Sequence, residues 1–283
     1  MIRWSEFLMP YETAVEELKN KFKGIRNEYR KNNEHSPIEF VVGRVKQIPS
    51  IIEKARKLGL TEENLDQMDD IGGLRIICQF EDDIYKVVDM VRIRDGMDLE
   101  IVLEKDYIKE VKDSGYRSYH IIIKYPIFTI EGLKFVFLEI QIRTMAMNFW
   151  ATVEHSLRYK YKEALPEHVA EKLRSTAHEV YLLDKEMQEI RDEIISAQNL
   201  FMHKSNTISQ ILGNLTDMER MGMLDEATRF RDAFEKINAR KGRDMEEDLE
   251  ALSLAIKQSM NIENGSLKEE LQQLEEKRTG NIL

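Results

Sequence analysis

The spacing of apolar residues changes several times along the chain, and each change marks an element. Phe7, Leu8, Tyr11, Ala14, Val15, Leu18, Phe22, Ile25 and Tyr29 recur at intervals of three and four, which predicts a long amphipathic first helix. A second helix is predicted after Gly43, with Ile48, Ile51, Ile52, Ala55 and Leu58 on one side and Lys46, Ser50, Lys54 and Lys57 on the other. From Gly73 the run Leu74-Arg75-Ile76-Ile77-Cys78-Gln79-Phe80 is short, continuous and bounded by acids, as a buried strand is. Further strands are predicted over roughly 99–105, 118–125 and 133–142, with a helix from Asp82 to Arg94 between the first two strands of the set. Strands interspersed with helices give an α+β fold, a mixed sheet covered by helices.

After Thr144 the pattern is helical almost to the end. Val169, Leu173, Ala177, Val180, Leu183, Met187, Ile190, Ile194, Ala197 and Phe201 keep the same spacing. That run is far longer than an average helix of about 11 to 12 residues. Beyond it, Lys204 to Leu283 has mixed charge and few aromatics, and Gly213, Gly222, Gly242 and Gly265 read as breaks between shorter helices. The chain thus divides into residues 1–203, which hold the candidate chemistry, and a helical C-terminal extension, 204–283.

Composition narrows the function classes. The 42 basic and 52 acidic residues give a formal charge of −10, which argues against a broad footprint for duplex nucleic acid and makes any anion site local. Cys78, the single cysteine, cannot form an internal disulfide, and no leader-like apolar segment follows Met1. No uncharged apolar run approaches the ~20 residues that cross a bilayer. The expectation is a cytoplasmic protein with no membrane partner.

The richest stretch is Lys112-Asp113-Ser114-Gly115-Tyr116-Arg117-Ser118-Tyr119-His120, with Glu139-Ile140-Gln141-Ile142-Arg143-Thr144 downstream. Cations, a histidine and two rings around a glycine suit a nucleotide, and Glu139, Gln141 and Arg143 share one face of a strand. An ordinary water-facing sheet surface has the same period. Asp69 and Asp70 stand before Gly72, Gly73 and Arg75, where a carboxylate suits Mg²⁺ and a turn-capping pair fits equally. The lysine face of the second helix suits phosphate, as it suits water, and Arg44 before it could stack on a base. Glu154 and His155 read either as a proton pair or as members of a packed helix. Zinc spacing, a Ser-His-Asp or Cys-His triad and a G-x-x-x-x-G-K-[ST] loop are all missing from the sequence.

Taken together, Gly43-Arg44-Val45-Lys46, Met68-Asp69-Asp70-Ile71-Gly72-Gly73-Leu74-Arg75-Ile76, Ser114 to His120, Glu139 to Thr144 and Asn148-Phe149-Trp150-Ala151-Thr152-Val153-Glu154-His155 resemble the RelA/SpoT homologue synthetases. The resemblance covers about residues 4–203, and it is strongest with the short, single-domain small alarmone synthetases of the RelQ type. It implies a nucleotidyltransferase-like sheet that transfers the β,γ-pyrophosphate of ATP to the 3′-hydroxyl of GDP or GTP, giving ppGpp or pppGpp. By matching motifs, Arg44 and Arg75 would sandwich adenine, Lys46, Ser50, Lys54 and Lys57 would hold the triphosphate, and Asp70 would carry Mg²⁺. Tyr116 would stack on guanine, and Lys112, Arg117 and His120 would hold the acceptor's phosphates, with Gln141, Asn148 and Glu154 as further acceptor contacts. Glu139 would sit by the 3′-hydroxyl as base or second metal contact.

RelQ-type enzymes are similar in forming a homotetramer with a central alarmone effector site, and here Lys19, Lys23, Arg26, Glu39, Phe40 and Asn148 match it. Val42 departs from the threonine of that pattern, which implies weaker activation. A solvated basic stripe, Lys19, Lys23, Arg26 and Arg30, accounts for the same spacing on the first helix. Two other readings stay open: an alarmone-sensing or RNA-binding module without synthesis, with single-stranded RNA as partner, and a synthetase that pyrophosphorylates tRNA.

Overall fold

The computed structural model describes residues 2–160, 166–239, 245 and 247–261. By packing, the chain divides into two units, Met1–Ile190 and Arg191–Leu283. The division falls inside one helix, whose period continues through both Ile190 and His203, so nothing in the sequence marks it.

In the first unit the order is α1 (Trp4–Lys31), β1 (Phe40–Val45), α2 (Ile48–Leu58), β2 (Gly72–Cys78), α3 (Glu81–Arg92), β3 (Glu100–Asp106), β4 (Tyr119–Thr129), β5 (Gly132–Thr144), α4 (Met145–Lys160) and the first part of α5 (Glu167–Arg220). The strands form one sheet in the order β1-β2-β5-β4-β3, parallel between β2 and β5 and antiparallel elsewhere. This is the expected α+β architecture. The core gathers Leu18 and Phe22 of α1, Ile84 and Val88 of α3, and the sheet residues Leu74, Ile76, Ile121, Ile123, Ile140 and Ile142, all essentially inaccessible. Those sheet residues alternate along each strand, which leaves the intervening positions for the other face.

Two local readings are corrected. Phe40–Val45 is a strand, not the approach to a helix; Phe40-Val41-Val42 is a β-branched and aromatic run too short to show its period. Lys46 therefore lies ahead of α2 and not on it, since extended Gln47 stands at the N-cap position and Pro49 occupies the first turn. The extension also differs from the expected short helices. Gly213 lies within α5, which continues unbroken to Arg220, whereas Gly222, at φ 85°, does end it. Gly242 and Gly265 fall outside the described residues.

The second unit has its own core. Ile211, Leu215 and Met218 of α5 pack with Ala227 and Phe234 of α6 (Leu224–Asn238) and with Leu249, Leu252 and Ile256 of a helical stretch over 247–261. No helix among the described residues is long and apolar enough to cross a membrane.

Candidate active site

Strand register assembles the site. Arg75, Gln141, His120 and Lys105 are lateral neighbours across β2, β5, β4 and β3. One step along, Arg44, Gly73 and Glu139 form the next row. Period two thus makes a polar surface on the face that the core does not use.

Two cavities open on this surface. The larger, of about 410 Å³, is lined by Arg44, Lys46, Arg75, Tyr116, Gln141 and Glu154 together with Arg143, Thr152 and His155. The smaller, of about 180 Å³, is lined by Lys54, Lys105, Tyr107, Lys112 and His120. Asp70 and Glu139 line both, so the two carboxylates stand where the cavities meet.

Asp70 is held by two lysines. Its Oδ2 accepts from Lys46 Nζ at 2.6 Å and lies 2.7 Å from Lys54 Nζ. The ion pair keeps Lys54 protonated: burial is the largest single influence and acts against its charge, but its hydrogen bond to Asp70 and the charges of Asp70 and Asp69 together outweigh burial and raise its pKa. Asp70 Oδ1 is buried with no hydrogen-bond partner among the described residues, on a side chain that lines both cavities. Among the described residues no group of three or more His, Cys, Asp and Glu could cage a metal. One or two carboxylate oxygens suffice for Mg²⁺, which keeps water and substrate phosphate in its shell, so this donor set fits that ion.

Glu139 sits in a network. His120 Nδ1 lies 2.7 Å from its Oε1, and Gln141 Nε2 donates to its Oε2 at 2.7 Å. Burial pushes the Glu139 carboxyl up, but His120, then Gln141 and Lys54, outweigh burial and hold it at about 2. It is a carboxylate at neutral pH. On the cationic side, burial and then the nearby Arg143 and Arg44 lower the Arg75 pKa, the mark of guanidinium groups gathered without enough counter-charge. Lys112 Nζ lies 4.1 Å from the Tyr107 ring centroid and 5.0 Å from that of Tyr116, so cation and rings are packed as one group.

Other predicted residues lie apart from the cavity walls. Lys57 is exposed and pairs with Glu53 at 2.7 Å. Ser50 is half-buried one turn before Lys54 on α2. Arg117 turns toward α5, its guanidinium 4.4 Å from the Tyr181 ring centroid and donating to the carbonyl of Ala177. Gly115, two residues earlier, turns at φ 83° and leaves no room for a Cβ beside Ala177. Asn148 lies on α4, its Oδ1 buried without a partner among the described residues; Glu154, by contrast, lines the larger cavity and pairs with Arg158. Lys19, Lys23 and Arg26 lie on α1; Arg26 donates to the carbonyl of Glu39 at 3.2 Å, beside Phe40 at the start of β1. Lys105, Tyr107 and Thr152 are cavity residues that sequence reasoning did not single out. Lys105 carried a signal, since it closes the predicted strand 99–105.

At the end of β5, Asp184 of α5 accepts from Thr144 Oγ1 at 2.6 Å, and the same oxygen caps α4 by accepting from Met147 N–H. Burial is the main cause that pushes the Asp184 carboxyl from 3.8 up to about 6; the Thr144 hydrogen bond opposes it and Glu81 adds to it. The folded chain therefore binds this proton more tightly than the unfolded one, and the associated stability is lost as pH rises through about 6. Thermal unfolding is expected to show Tm falling from about pH 5 to about pH 7, and Asp184→Asn is expected to flatten that slope.

The sequence matches the profile described as "Region found in RelA / SpoT proteins" over residues 43–164. It is 51% identical over 208 residues to the GTP pyrophosphokinase YjbM of Bacillus subtilis, covering 74% of this chain and 98% of the relative. The fold is similar to that of small alarmone synthetase 1 from Bacillus subtilis bound to its product pppGpp, with TM-score 0.65 and 53% identity over 68% of this chain and 98% of that one. The same enzyme bound to AMPCPP matches with TM-score 0.60 and 48% identity, over 69% and 98%. With that likeness spanning nearly the whole relative, the chain belongs to the RelA/SpoT family, among its small alarmone synthetases.

Proposed function

We propose that this chain is a cytoplasmic GTP pyrophosphokinase that moves the β,γ-pyrophosphate of ATP to the 3′-hydroxyl of GDP or GTP, making ppGpp or pppGpp and releasing AMP. One observation carries the reading: two cavities, each rich in cations, meet at Asp70 and Glu139. The larger holds side chains that stack on bases, Arg44, Arg75 and Tyr116; the smaller holds Lys54, Lys105 and Lys112, suited to phosphates.

In this reading the acceptor's 3′-oxygen forms a bond to the β-phosphorus while the bridge between α- and β-phosphorus breaks. Such a transfer needs positioning and charge stabilisation more than covalent chemistry, which fits many cations and few carboxylates. Lys46 and Lys54 offset charge on the triphosphate, with Ser50 and Lys57 flanking them on α2. Tyr116 stacks on guanine, Lys112 and His120 face the acceptor's phosphates, and Gln141 and Glu154 complete the wall; Asn148 and Arg117 stand outside it, on α4 and against Tyr181. Glu139 receives the hydroxyl's hydrogen bond. Held ionised with a pKa of about 2, it orients and polarises the hydroxyl more than it drives an early proton removal. Asp70, and Glu139 beside it, would hold Mg²⁺, which supplies Lewis-acid charge stabilisation when bound.

The homotetramer and the alarmone effector site belong to the same reading, supported by the grouping of Lys19, Lys23, Arg26, Glu39 and Phe40 on α1 and β1. The test is to incubate the full chain with γ-labelled ATP, Mg²⁺ and GDP or GTP. Label in ppGpp or pppGpp supports it; no labelled guanosine product, even with added alarmone, overturns it in favour of a binding module or a tRNA acceptor. Ending the chain after His203 is expected to leave a folded synthetase, checked by the same assay. The separate core of the second unit supports that expectation.

A further inference from the structure

The hydrogen bonds around Glu139 form a closed circuit with one origin. A guanidinium carries only donors, so Arg143 Nη2 donates both to Tyr116 Oη and, at 2.7 Å, to Gln141 Oε1. The phenol, already accepting, has its own proton left for His120 Nε2 at 2.8 Å. The imidazole then carries its proton on Nδ1 and donates to Glu139 Oε1, a tautomer assigned from this network. Along the other arm Gln141 accepts at Oε1 and donates from Nε2 to Glu139 Oε2. Both arms begin at one nitrogen and end on the two oxygens of one carboxylate.

Arg143 is itself 4% exposed. Its hydrogen bonds among the described residues go only to neutral oxygens, the third being Nε to Ser118 Oγ at 3.2 Å. Its guanidinium carbon lies 5.1 Å from the Tyr116 ring centroid. A buried cation is costly, and this one is retained without a carboxylate partner among the described residues. What it gains are three contacts in a fixed fork, and two of them orient groups that line the larger cavity.

We propose that Arg143 is a positioning residue for the acceptor side of the transfer, fixing the plane of the Tyr116 ring and aiming the Glu139 carboxylate through Gln141 and His120. This rests on the reading above, in which Tyr116 stacks on guanine and Glu139 meets the 3′-hydroxyl. Arg143→Lys keeps the charge but offers one nitrogen in place of a fork. In steady-state synthesis by the full chain, its KM for GDP is expected to rise about tenfold and kcat to fall about tenfold, with KM for ATP within about twofold. Tyr116→Phe combined with Arg143→Lys is expected to lose no more than about twofold beyond Arg143→Lys alone, because both act through one contact.

An arginine that only supports the fold would raise both KM values together, or lose activity in step with a lower Tm. Either result overturns the proposal, as does an unchanged KM for GDP. Ser118→Ala, which releases Nε but leaves the guanidinium in place, covers the case in which the lysine variant does not fold. It is expected to raise KM for GDP about threefold and leave KM for ATP unchanged; no change in KM for GDP overturns the proposal. Failure of the unaltered chain to make any guanosine product would overturn the synthetase reading instead, so the two failures are distinguishable.

Discussion

Glu139→Gln is expected to lower pyrophosphate transfer by about 10²- to 10⁴-fold while leaving the chain folded and ATP binding intact. The amide lacks the negative charge that polarises the hydroxyl, and its geometry adds a second defect. Both oxygens of Glu139 face donors, His120 Nδ1 and Gln141 Nε2. A glutamine can satisfy only one of them, because its amide nitrogen is itself a donor. One arm of the circuit opens whichever way the amide turns. Labelled-product formation and calorimetric ATP binding check the two halves of this prediction. A variant within about fourfold of the unaltered rate would remove the carboxylate from the chemistry.

Gly73→Ala is expected to cost about 1–3 kcal/mol of stability and a larger share of activity. A Cβ at Gly73 would lie 2.4 Å from the carbonyl oxygen of Glu139, and the obstacle is backbone on the paired strand, which no rotamer can move aside. Relief requires β2 and β5 to separate at the row where Gly73 pairs with Glu139. A shift of about 1 Å in a reacting group can cost about 10²-fold in rate, so the carboxylate is displaced before the fold is lost. Thermal unfolding and the synthesis assay measure the two effects. Gly24→Ala, where an added Cβ meets nothing within 4 Å, is the control and should leave both unchanged or slightly improved.

The same pair of strands shows what could be read from the sequence and what could not. The buried alternation of β5 put Glu139, Gln141 and Arg143 on one face, because a two-residue period needs no partner to be recognised. Asp70 and Arg75 were found as motif residues, but their meeting with Glu139 depends on a parallel pairing between strands some sixty residues apart, which spacing does not encode. The edge strand β1 escaped for a different reason: its six residues, with Gly43 inside, are too few for periodicity to separate strand from helix approach. Lys57 and Arg117 show a different limit, that of side-chain direction. Each is a cation of the right type in the right stretch, yet side-chain direction carries one to solvent beside Glu53 and the other onto Tyr181. The circuit from Arg143 to Glu139 was legible only as a shared face, since its closure requires β4 to bring His120 beside Gln141.

Cys78 closes β2, wholly buried and paired across the sheet with Thr144, and burial raises its thiol well above the usual range. Its position makes it a timer. A thiol reagent reaches it only when the core around β2, the strand that follows Asp70 and pairs with the strand of Glu139, opens, so the rate of its modification counts those openings in the native molecule. Nucleotide bound across the pair should slow that clock in proportion to site occupancy. The chain thereby carries, without any engineered label, a direct readout of how often its own catalytic floor opens.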